Sequence, residues 1–63
     1  MKVRDLIKSL EDAGWYQVRQ KGSHRQFHHP TLQGTVTVAG TMNIDIPPGT
    51  LQSLIKQAQI KIK

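Results

Sequence analysis

The chain has 63 residues and no cysteine, and its nine Lys and Arg against four Asp and Glu leave a net charge of +5. Without cysteine there is no disulfide framework, zinc finger, iron–sulfur site or thiol nucleophile, and because small secreted domains usually depend on disulfides the composition points to the cytoplasm. One domain of about 60 residues buries only about 60% of its unfolded surface, which leaves no room for a deep pocket or a large cofactor beside the core. The charge attracts polyanions, with a pI near 10.1 in the range of nucleic-acid-binding domains. No apolar run approaches the roughly 18 residues of a membrane span, and the polar start Met1-Lys2-Val3-Arg4-Asp5 is not that of a signal peptide.

Val3, Leu6, Ile7, Leu10 and Ala13 fall at helical spacing and predict a helix over 3–13 with Arg4, Lys8, Glu11 and Asp12 opposite. Gly14 supplies the left-handed residue at which such a helix stops. The aromatic and β-branched run 15–20 predicts a strand, Lys21-Gly22-Ser23 a short turn, and 24–29 a second strand ended by Pro30. Alternation on that strand places His24, Gln26 and His28 on one face and Arg25, Phe27 and His29 on the other, and Phe27 marks the core side. After the turn 31–34, Thr35-Val36-Thr37-Val38-Ala39 predicts a third strand with both valines inward, followed by a loop over 40–45. Ile44 and Ile46 are expected to cover one end of the core.

Pro47 and Pro48 open a second helix, in which Leu51, Leu54, Ile55 and Ala58 repeat the apolar stripe. Ile60 and Ile62 extend its apolar edge, and Lys61 and Lys63 suit its C-terminal end. The order α-β-β-β-α predicts an α+β two-layer sandwich: a three-stranded antiparallel sheet with both helices on one face. The other sheet face then meets water or a partner.

The segment Arg19-Gln20-Lys21-Gly22-Ser23-His24-Arg25 gathers three fixed cations, a hydroxyl and an imidazole around a glycine turn. Charge, turn N–H groups and a proton carrier together suit a phosphate; the same run also reads as a solvated hairpin turn with surface charges. Cleavage of RNA by its own 2′-OH requires a base, an acid and cations on the phosphate, chemistry that needs neither a pocket nor a metal, and imidazole exchanges protons near neutral pH. A metal held by His24 and His28 is disfavoured, because they are four positions apart on a strand, which sets their α-carbons roughly 13 Å from each other. Asp5, Glu11, Asp12 and Asp45 form no evident carboxylate pair, and neither a nucleophile elbow nor a Walker-type loop is present. Trp15, Tyr16 and Phe27 are suited either to a small core or to base stacking, with Tyr16 the best placed for exposure.

Four stretches resemble the HicA (YcfA-like) family of bacterial toxins: the first helix with its Gly14-Trp15 ending, the run Arg19-Gln20-Lys21-Gly22-Ser23-His24, the strand Thr35-Val36-Thr37-Val38, and Pro48-Gly49-Thr50-Leu51 followed by Leu54-Ile55-Lys56-Gln57-Ala58. Together they cover nearly the whole chain in order. The resemblance implies a double-stranded-RNA-binding-domain-like fold and an mRNA interferase with His24 as its catalytic histidine and no cofactor. It implies also a HicB-type antitoxin as partner, through which the pair would reach operator DNA. On the combined reading Lys21 and Arg25 hold the scissile phosphate, with Arg19 as a secondary candidate, Gly22 lets the backbone approach and Ser23 donates a hydrogen bond. An RNA-binding module without catalysis, or a face that only docks another subunit, are the rival readings. Two positions depart from the family pattern. Ala39-Gly40-Thr41 stands where many members have Pro-x-His, leaving open which residue complements His24, and Gln59 stands where the family has glycine.

Overall fold

The computed structural model describes residues 1–61. Helix α1 spans Val3–Asp12 and buries Val3, Leu6, Ile7 and Leu10. Its free N-terminal N–H groups are met from outside the helix: Val3 donates to the Ile44 carbonyl and Arg4 to that of Met42, while the Asp5 carboxylate accepts the Lys2 N–H at 3.3 Å. At the other end Gly14 has φ +101°, and Trp15 N–H reaches back to the Leu10 carbonyl and Gly14 N–H to that of Glu11. That is the paired Schellman closure, which consumes the carbonyls the last turn leaves over.

Three strands follow, β1 (Tyr16–Lys21), β2 (His24–His28) and β3 (Val36–Val38), paired antiparallel in the order β1-β2-β3. Helix α2, Pro48–Ala58, completes the α-β-β-β-α order with Pro48 at a first-turn position. Phe27, Val36 and Val38 on one sheet face pack with the α1 stripe and with Leu54 and Ala58 of α2, and Trp15, Ile46 and Ile60 close the same cluster. Both helices therefore cover one face of the sheet, as the paired apolar stripes predict.

Trp15 lies outside β1 and spans the layers. Its ring is buried and its indole N–H donates to the Ala58 carbonyl at 3.1 Å, satisfying an end carbonyl of α2. Helix α2 also ends in a Schellman closure, Ile60 N–H to the Ile55 carbonyl and Gln59 N–H to that of Lys56, with Gln59 itself at φ +53°. Gln59 thus takes the left-handed conformation without glycine's freedom.

Two expectations change. Ile46 is buried, but Ile44 is 51% exposed; its backbone carbonyl caps α1, which turns the side chain outward. Ile60 packs in the core from beyond the helix end. The expectations for Ile62 and Lys63 lie outside the described residues.

Candidate functional site

A two-residue turn, Gly22-Ser23, joins β1 to β2 between the paired residues Lys21 and His24. Gly22 has φ +61° and Ser23 does not share the positive φ, the signature of a II′ hairpin, which wants glycine at its first central position. The turn thereby fixes Lys21 directly opposite His24. Gln20 steadies it by donating from its amide to the Gly22 carbonyl at 3.0 Å.

The pairing then proceeds Gln20 with Arg25, Arg19 with Gln26, Gln17 with Phe27 and Tyr16 with His28, so that Val18 is one residue too many on β1. This β-bulge changes which residues share a face. Strict alternation from Tyr16 would turn Arg19 and Lys21 to the opposite side of the sheet. The bulge instead brings Tyr16, Arg19 and Lys21 to one side, with His24, Gln26 and His28 beside them on β2. Gln17 and Gln20, now on the other side together, are hydrogen-bonded to each other at 3.4 Å.

Arg19, Lys21, His24 and Gln26 line a shallow depression of about 160 Å³ on this outward face. Two fixed cations and a carboxamide therefore surround one exposed imidazole. All four carboxylates lie elsewhere: Asp5, Glu11 and Asp12 on α1, behind the sheet, and Asp45 in an isolated bridge with Lys2. Among the described residues the cations thus face solvent without a nearby acid side chain to neutralise them, the arrangement that attracts a phosphate.

Of the residues singled out from sequence, Lys21, Gly22, Ser23, His24 and Arg19 come together at this end of the hairpin. Arg25 does not join them. It pairs with Val38, sits on the same face as buried Phe27, and its guanidinium donates to the Gly40 carbonyl at 3.3 Å. The structure thus places Arg25 on the sheet face opposite His24, apart from the residues expected to hold the phosphate with it. Gln26 was not among the expected site residues, although the alternation of β2 already placed it on the face of His24.

The other two histidines have different surroundings. His28 bonds Thr35 Oγ1 at 3.0 Å on the outward face. His29 is structural. Its Nε2–H donates to the Ala13 carbonyl at 2.9 Å while Nδ1 accepts the N–H groups of Thr31 and Leu32, which defines the tautomer. The ring meets Trp15 edge-on with centroids 5.2 Å apart. A Cβ on Gly14 would lie 2.8 Å from His29 Nε2, so this glycine serves both the backbone turn and the seat of the imidazole.

Among the described residues no helix is long and apolar enough to cross a membrane. A family model described as the HicA toxin of bacterial toxin–antitoxin systems matches residues 3–60. A solved structure entitled "HicA3 and HicB3 toxin-antitoxin complex" is similar to this chain at 34% identity and a TM-score of 0.83, with all of both chains covered. No curated protein matches.

Proposed function

The chain belongs to the HicA toxin family of bacterial toxin–antitoxin systems, and from that premise we propose that it is an endoribonuclease acting on mRNA through His24. The observation that carries this reading is the exposed imidazole of His24 set in one depression with Lys21, Arg19 and Gln26. In the proposed reaction the 2′-oxygen attacks the adjacent phosphorus and the bond to the 5′-oxygen breaks; the proton lost from the 2′-hydroxyl is balanced by one gained at the leaving 5′-oxygen, with His24 carrying one of these two transfers and solvent water the other. Lys21 and Arg19 stabilise the charge that builds on the phosphate, and the Gln26 amide donates to a non-bridging oxygen. The products are a 2′,3′-cyclic phosphate and a free 5′-hydroxyl. The step takes its nucleophile from the substrate and needs no metal.

The similar structure is a complex of a HicA with a HicB, which supports a HicB-type antitoxin as partner of this chain. An antitoxin seated on the outward face would cover His24 and silence the site directly.

The test is cleavage of a single-stranded mRNA fragment by wild type, His24→Ala and His24→Gln in the presence of EDTA. Wild type should yield cyclic-phosphate ends, and both variants should be slower by roughly 10²–10⁴-fold, the usual worth of a positioned acid–base group. An oligonucleotide with 2′-deoxyribose at the scissile position should remain uncut. Cleavage by His24→Ala at the wild-type rate would overturn the assignment.

A further inference from the structure

The depression around His24 occupies only one end of the outward sheet face. At the other end Tyr16 pairs with His28, and nothing in the proposed chemistry uses either ring. Of the three aromatic residues, Trp15 and Phe27 are buried in the core, while Tyr16 is 50% exposed. Val18, the extra residue of the bulge, lies next to it and is 44% exposed. Burial would favour an aromatic ring of this size by ~2 kcal/mol, yet Tyr16 spends its surface on solvent.

We infer that Tyr16, with His28 opposite it, forms a base-stacking subsite for an unpaired nucleobase of the RNA strand whose phosphate lies at His24. The inference rests on the reading of this face as an RNA site and adds the subsite that holds the strand.

Three observations support it. Register partners of an antiparallel pair stand with Cβ atoms about 4.5–5.5 Å apart, so Tyr16 and His28 present two neighbouring ring surfaces. The imidazole of His28 is fixed by Thr35 Oγ1 at 3.0 Å, so its orientation is set before any ligand arrives. The five residues of β2 from His24 to His28, four steps of about 3.3 Å, span about 13 Å, with Arg19 and Gln26 paired midway. Cations in line with exposed rings are the recurring design for single strands, where phosphates follow the charge and bases stack on the aromatic groups. A duplex keeps its bases stacked on one another and offers no face to Tyr16, so the subsite selects unpaired RNA. With all four Asp and Glu side chains on α1 or at Asp45, no acid among the described residues of this face repels the backbone.

The experiment compares wild type, Tyr16→Leu and Tyr16→Trp. Binding is measured on a fully 2′-O-methylated single-stranded oligonucleotide, and cleavage on the matching RNA. Tyr16→Leu should weaken binding and raise KM by about five- to hundred-fold, the range seen when a stacking ring is removed, with kcat little changed; Tyr16→Trp should restore both. An abasic nucleotide at one position should weaken wild type by a similar factor and Tyr16→Leu hardly at all. Tyr16→Leu binding RNA as tightly as wild type would overturn the inference. If that variant also lost affinity for the HicB-type antitoxin, the ring would be a protein contact instead. The binding arm decides the subsite and the cleavage arm the catalytic reading, so a wild type that binds through Tyr16 but never cuts defeats only the latter.

Discussion

If the RNA strand crosses the outward sheet face, the salt dependence of its binding is set by Arg19 and Lys21 and not by Arg25. Each cation that neutralises a phosphate releases a condensed counterion, and for single strands log K falls with log[salt] by about 0.7 per contact. Replacing Lys21 or Arg19 by alanine should therefore flatten the slope by about 0.7. Between about 50 and 200 mM salt that is about 2.6-fold less loss of affinity for each. Arg25→Ala should leave the slope unchanged, because its guanidinium is held at the Gly40 carbonyl on the core side. Its effect should be on stability instead, about 1 kcal/mol from the lost hydrogen bond. Fluorescence anisotropy with a 2′-O-methylated oligonucleotide, titrated with salt, reads the slopes without interference from cleavage. A slope flattened as much by Arg25→Ala as by Lys21→Ala would refute the assignment of faces. Unchanged slopes for both Lys21→Ala and Arg19→Ala would show that the strand does not follow the depression.

Two stability predictions follow from the helix ends. Gly14→Ala places an L-residue at φ +101°, a strain of ~1–2 kcal/mol, and displaces the imidazole of His29, whose hydrogen bonds are worth about another 1 kcal/mol. In a His29→Ala background only the strain should remain, and denaturation of the four proteins of this cycle measures the difference; equal costs in both backgrounds would show that the ring does not crowd Gly14. Gln59→Gly removes a left-handed strain of ~1–2 kcal/mol and adds ~0.5–1 kcal/mol of chain freedom to the unfolded state. The net expectation is a gain of ~0–1.5 kcal/mol, whose midpoint raises Tm by roughly 3–6 °C in a domain this small, and a lower Tm would contradict the conformation described for residue 59.

Much of the architecture was legible because it depends on neighbours in sequence. The stripes of Val3, Leu6, Ile7 and Leu10 and of Leu54 and Ala58 identified the buried helix faces, and alternation around Phe27 and Val36 identified the covered face of the sheet. Gly14 and Gly22 marked turns that their positive φ values require. The resemblance to the HicA family rested on the same local runs and agrees with the family match over residues 3–60. His28 and His29 show the limit of such reading. Two adjacent histidines before a proline look alike in sequence, but one faces solvent beside Tyr16 and the other closes the α1 end through Ala13, Thr31 and Leu32.

The sequence by itself determined the helix stripes, the turns, the core-facing valines, and the concentration of charge around Gly22. It also placed Arg25 on the face of Phe27, although the density of cations around His24 argued for grouping them all as one site. Only the tertiary structure decided which cations stand beside His24. The face on which Arg19 and Lys21 lie depends on the extra residue at Val18. A bulge is a property of two strands paired through their backbones, since it exists only as a mismatch in residue count across the ladder. Alternation along one strand carries no trace of that mismatch, and a single inserted residue exchanges the two faces for everything beyond it.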